Sequence, residues 1–175
     1  MRRHLLVWEL AGVVFTVMAG ALLHFVYEWS GGSPLAAAFS AVNESTWEHM
    51  KLLFVPLLLT ALAAAALGGR CRGTWTARLA GALAGLLLIP LLYYGYTGAL
   101  GLHVVWVDMA IFYAAAGAAF LLEGHIARHL PGRGGLRQAV AAVLFAALAV
   151  LFVWWTYAPP HLPLFMDPVT GQYGI

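Results

Sequence analysis

Charge is what this chain has least of. Only 9% of its 175 residues are charged, while 63% are hydrophobic. Soluble domains carry roughly 25% charge, so a soluble globular domain is excluded. Cysteine is nearly absent: the single Cys71 allows no internal disulfide and no CxxC metal or redox motif. There is no HExxH and no run of basic residues, so neither a zincin-type protease nor a nucleic-acid partner finds support. The net charge of +2 suits short loops beside anionic lipid headgroups.

What the chain has instead is long apolar stretches. A hydrocarbon core of ~30 Å needs ~20 predominantly apolar residues per helix. Five segments qualify, at about residues 5–28, 46–67, 76–96, 103–123 and 136–157. The expected fold is all-α: an integral membrane bundle of five transmembrane helices forming one domain over residues 1–175. Arg2, Arg3, Arg70, Arg72, Arg78, Arg128, Arg133 and Arg137 fall at one set of helix ends. Glu28, Glu44, Glu48, Asp108 and Asp167 fall at the other. By the positive-inside rule the N-terminus is inside and the tail of residues 158–175 outside a cell (inner or plasma) membrane. Arg2-Arg3, the apolar run and Ala19-Gly20-Ala21 imitate a signal peptide. The run continues to Tyr27 without a polar break, so it reads as a retained first helix.

The connections carry their own signals. Ser30-Gly31-Gly32-Ser33 is a turn, and Ser33-Pro34 opens a helix with proline at its first position. That helix, residues 34–42, is too short to span and reads as interfacial. Ser45 and Glu48 match a capping box at the start of the second span. Pro56 and Pro90 lie inside spans, where proline kinks a helix. Gly81 and Gly85 form a GxxxG that can seat one helix on another. Gly98–Gly101 reads as a short outer hairpin. The tail is extended by its prolines, and its apolar residues Leu162, Leu164, Phe165, Met166, Val169 and Tyr173 predict that it folds back over the bundle. His161 and Asp167 would then hang near the polar cluster described next.

Ionisable residues inside membrane helices are costly and are functional candidates by default. His24 and Glu28 share a helix face, as do Glu44 and Glu48, with His49 beside Glu48. His103 and Asp108 sit at the mouth of the fourth span. One reading is a metal site drawn from His24, Glu28, Glu44, Glu48, His49, His103 and Asp108, holding zinc or another divalent transition metal. Another is metal-free acid–base chemistry with Glu28, Glu48 and Asp108 as the catalytic carboxyls. In both, His24, Glu28, Glu48 and Asp108 are expected to converge in one pocket. The structural alternative is that Glu48 caps its helix and pairs with Lys51 at i+3. Elsewhere, Glu9 is expected to pair with Arg2, Arg3 or His4, and Glu123, His125 and His129 to be solvated.

The segments HFVYEW (24–29), NESTWEHMKL (43–52) and PPHLPLFMDPVTGQYGI (159–175) resemble a bacterial multi-pass membrane family of unknown function. That resemblance implies the topology and the importance of these blocks, and implies no reaction. His24-x-x-x-Glu28 also resembles, much more weakly, a helix end of the sterol-isomerase (emopamil-binding) family, in which Glu48 would match a second glutamate. Three classes of function stay open. They are an enzyme acting on a lipid or other apolar molecule, a proton-, ion- or solute-translocating subunit, and a structural or assembly subunit. Membrane lipid is the expected partner, with a homo-oligomer or larger membrane complex as a further one.

Overall fold

The computed structural model describes residues 2–66, 75–129 and 134–175, with side chains from Val7 onward. Arg70, Cys71, Arg72 and Arg133 lie outside the described residues. The elements are α1 (Arg2–Trp29), α2 (Pro34–Ala37), α3 (Thr46–Ala66), α4 (Trp75–Leu100), α5 (Val105–His129) and α6 (Gly135–Tyr157), followed by a 3-10 turn at Pro163–Phe165. Five of the helices are long and apolar enough to cross a membrane. Among the described residues there is no β-strand, only an isolated antiparallel bridge between Met166 and Tyr173.

The five long helices lie over the apolar runs; the short helix and two of the long ones differ in their bounds from the sequence reading. The interfacial helix expected over residues 34–42 is a single turn, Pro34–Ala37. Its last carbonyls are taken by side chains: Ser40 Oγ donates to the Ala36 carbonyl at 2.7 Å, and Lys51 Nζ to the Ala37 carbonyl at 2.8 Å. The chain then turns so that the Val42 N–H reaches Glu48. Second, α4 runs through Gly95 and Gly98 to Leu100 rather than stopping at residue 96. Thr97 Oγ1 satisfies the Tyr93 carbonyl, and the helix stops only where Gly101 takes φ +65°, a conformation that glycine adopts without strain. Third, α5 starts at Val105, after His103, and continues to His129.

Helix α3 is the hub, buried along most of its length. It packs against α1, α4 and α6. Trp47 stacks on Phe152 at 4.4 Å between ring centroids, and Phe54 lies 4.9 Å from Phe152 and 5.1 Å from Phe145. Between apolar helices in lipid there is little hydrophobic driving force, so small residues and close packing decide the pairing. Gly81 and Gly85 act in this way. A Cβ at Gly81 would collide with the Ala119 carbonyl, and one at Gly85 would sit 2.8 Å from the Ala115 carbonyl. The backbones of α4 and α5 therefore approach as closely as glycine permits. Leu10, Val14, Leu87, Leu91, Leu121, Val143 and Val150 remain exposed on the outside of the bundle.

The C-terminal tail folds back on the bundle where the start of α3 meets the ends of α4 and α6. Phe165 is buried between Trp47, at 4.9 Å, and Trp155, at 5.4 Å. The Tyr94 hydroxyl donates to the Pro163 carbonyl, and Asn43 Nδ2 donates to the Gly174 carbonyl at 2.9 Å. Leu162 and Val169 stay exposed.

Candidate metal centre

The site grows from the turn that opens α3. Asn43 Oδ1 accepts the Ser45 N–H at 3.0 Å, forming an Asx-type turn. Ser45 Oγ accepts the Glu48 N–H at 3.3 Å, the N-cap half of the capping box. The reciprocal half is not made. The Glu48 carboxylate instead accepts the Val42 N–H at 3.2 Å. The Ser45 carbonyl has a third role: His49 Nδ1 lies 3.0 Å from it. A carbonyl can only accept, so Nδ1 carries a proton, which leaves Nε2 as the nitrogen that a metal could take.

Nε2 faces Glu44. His49 Nε2 lies 3.6 Å from Glu44 Oε2, and His24 Nε2, from α1, lies 3.6 Å from Glu44 Oε1. The two imidazole rings are 5.4 Å apart. One ligand atom from each of His24, Glu44 and His49 falls within 4.8 Å of the others, so the group could hold a metal ion. The 3.6 Å separations are too long for hydrogen bonds. They lie close to the about 3.3 Å edge of a tetrahedron with ~2.05 Å metal–ligand bonds. A histidine whose far nitrogen donates to a carbonyl is the usual orienting arrangement for a metal ligand. Glu44 is half exposed and the two histidines about one-third, so the group opens to the outside of the bundle.

The remaining expected site residues go elsewhere. Glu48 turns inward, away from His24, and meets Lys51 Nζ at 2.6 Å, both side chains being essentially inaccessible. Thr156 Oγ1, from α6, accepts from Lys51 at 2.7 Å. It lies within donating distance of Glu48 Oε1 and the Phe152 carbonyl, one of which takes its single proton. This buried group pins α2, α3 and α6 together. The expected pairing of Lys51 with Glu48 is present. Glu48, expected as a metal ligand or catalytic carboxyl, here has Oε2 on Lys51 Nζ and the Val42 N–H, and Oε1 3.0 Å from the Thr156 hydroxyl.

Asp108 also leaves the pocket it was expected to share. His103 Nε2 sits 2.6 Å from its Oδ2, and the Tyr96 hydroxyl donates to Oδ1 at 2.6 Å. Tyr96 itself accepts the Val104 N–H. His103 and Asp108 thus form a second group, on the α4–α5 connection, with no hydrogen bond or ion pair to His24, Glu44 or His49 among the described residues. Glu28 is exposed at the end of α1 and has no such partner either among the described residues. The single convergent pocket of His24, Glu28, Glu48 and Asp108 is therefore replaced by a His24–Glu44–His49 group, a buried Glu48–Lys51–Thr156 group and a His103–Asp108–Tyr96 group.

Neither His161 nor Asp167 completes any of them. Asp167 is buried within the tail's own turn, accepting from the Val169 N–H and the Thr170 hydroxyl. His161 packs on Tyr173. At the opposite end of the bundle one further expectation is corrected. Glu123, expected to be solvated, is largely buried beside Arg78, whose Nη1 donates to the Ala61 carbonyl at 2.6 Å; Glu9 pairs with Arg128 at 2.7 Å, while the side chains of Arg2, Arg3 and His4, its expected partners, lie outside the described residues. Thr156 and Tyr96 escaped the sequence reading. Nothing local marks either residue, since their partners lie on other helices.

A model described as a family of unknown function (DUF6512) matches residues 2–175, so the chain belongs to that family. No curated protein and no solved structure matches it.

Proposed function

We propose that this family member is a multi-pass membrane protein that binds a divalent transition metal, zinc in the first instance, through His24, Glu44 and His49. The observation that carries the reading is the triangle of ligand atoms, with His49 Nδ1 committed to the Ser45 carbonyl. Two histidines and one glutamate leave a fourth position open, the arrangement of catalytic rather than structural zinc sites. A bound metal would supply Lewis-acid polarisation and an activated water at that position. His24 and His49 would hold it as neutral imidazoles, and Glu44 would offset one of its charges.

The substrate class that fits is a lipid or other apolar molecule with a polar, metal-binding head, entering laterally. Exposed Phe25, Trp29, Leu35 and Phe39 surround this end of α1 and α2, and side chains of that kind sit well at a headgroup boundary. The His103–Asp108–Tyr96 group supports a second reading, acid–base chemistry. There the carboxylate fixes His103 with its other ring nitrogen free among the described residues, and the ring is 54% exposed.

Elemental analysis of the protein purified in detergent tests the metal reading. The expected result is one equivalent of transition metal per chain, falling at least tenfold in His49→Ala and in Glu44→Gln. Metal-free protein that also fails to take up zinc or cobalt on addition would sink it. The orientation follows from the arginine distribution. In a Cys71→Ser background, Ser33→Cys and Gln172→Cys should react with an impermeant maleimide in intact cells. Reaction only after permeabilisation would invert the topology.

A further inference from the structure

Of the three proposed ligands, Glu44 sits on the turn that opens α3, and His49, in the first turn of α3, has its ring fixed by the Ser45 carbonyl of that same turn. Asn43 uses both ends of its amide: Oδ1 accepts from the Ser45 N–H, and Nδ2 donates to the Gly174 carbonyl, 131 residues along the chain. We infer that Asn43 and the C-terminal tail are positioning elements of the metal centre, so that docking of the tail sets the geometry in which Glu44 and His49 meet a metal. The inference rests on the reading of His24, Glu44 and His49 as that centre.

The connection is continuous. Ser45, only 1% exposed, receives the Asn43 bond on its N–H and holds the Glu48 N–H on its hydroxyl. Its carbonyl fixes the ring of His49. Glu44 lies between Asn43 and Ser45, so its backbone is fixed only as well as theirs. At the tail end, Gly174 has φ +67°, and a Cβ there would meet the Thr156 carbonyl at 2.9 Å and Pro159 at 3.0 Å. Gly174, whose carbonyl Asn43 grips, thus leaves no room for a side chain beside the end of α6 and holds a backbone conformation that favours glycine. The Met166–Tyr173 bridge, the Asp167 turn and buried Phe165 keep the rest of the tail in register with it. Among the described residues the tail has no hydrogen bond, ion pair or ring contact with the three ligands. Its effect on the metal runs through Asn43 and Ser45, and by linkage metal binding must stabilise tail docking to the same extent that docking strengthens metal binding.

The two ends of the Asn43 amide can be separated. Asn43→Asp keeps an oxygen for the Ser45 N–H and loses the donor to Gly174. It also adds a negative charge beside Glu44, which by itself strengthens cation binding. Gly174→Ala disturbs the same contact from the tail side without any change of charge. Cobalt titrations of the full chain in detergent, read by the visible spectrum of the bound ion, should show both variants binding about 10–100-fold more weakly than wild type, as outer-shell changes do. Val169→Ala, at an exposed tail position, should match wild type. In the wild type, saturating cobalt should slow hydrogen exchange at the Asp167 and Gly171 amides, and in Asn43→Asp it should not. Should Gly174→Ala fail to fold, Asn43→Asp and the exchange measurement still decide, since neither alters the tail's own backbone. If His49→Ala loses cobalt while Asn43→Asp and Gly174→Ala bind within twofold of wild type, the positioning role is wrong and the metal centre stands. If wild type itself binds no cobalt, the metal centre fails and the inference fails with it.

Discussion

Lys51→Met will destabilise the protein by about 3–5 kcal/mol, the cost of removing one partner from a buried ion pair. The Glu48 carboxylate is 2% exposed and meets Lys51 at 2.6 Å. Its other neighbours, the Val42 N–H and the Thr156 hydroxyl, are neutral dipoles that cannot neutralise it. The Ala37 carbonyl would lose its donor in the same step. Adding Glu48→Gln to Lys51→Met should recover most of the loss, because a buried pair replaced by neutral groups of similar volume is often nearly neutral in stability. Unfolding by denaturant in detergent micelles measures both. A Lys51→Met protein within 1 kcal/mol of wild type would mean that the pair is solvated in the folded protein, against the burial described above.

Phe165→Ala is expected to cost about 3 kcal/mol, the range for emptying a buried phenylalanine site. Phe165 is 4% exposed and fills the space between Trp47 and Trp155. Trp47 in turn stacks on Phe152 within the α3–α6 core. The loss should fall on the tail as well as on global stability, so residues 159–175 should become accessible to protease at temperatures where the helices persist. Phe165→Leu should keep more than half of the lost stability. Unchanged melting together with unchanged proteolysis in Phe165→Ala would show that the tail is held by its hydrogen bonds to Asn43 and Tyr94 alone.

The amino-acid sequence by itself determined the elements whose causes are local. Apolar length placed the five long helices, because the span of a bilayer sets a length that can be counted along the chain. The Gly31-Gly32 turn, the proline at the start of α2 and the Ser45 N-cap were legible, because each is a bond or a dihedral within a few residues. Lys51 could be matched to Glu48 for the same reason, three positions along one helix. The GxxxG of α4 named its residues, though not the helix they face.

Only the tertiary structure decided which polar residues meet. These helices are apolar on nearly every side, so no stripe of hydrophobic residues marks an inward face as it would in a water-soluble helix. The depth expected from the sequence grouped His24, Glu28, Glu48 and Asp108. Rotation about the helix axes then separated them, sending Glu48 toward Thr156 on α6 and Asp108 toward Tyr96 on α4. Glu9 and Arg128 found each other across 119 residues of sequence. Asn43 and Gly174 met because the tail doubles back over the bundle to seat Phe165. Burial of that side chain, far from the ligands in sequence, brings the C-terminus to the turn that presents Glu44 and His49.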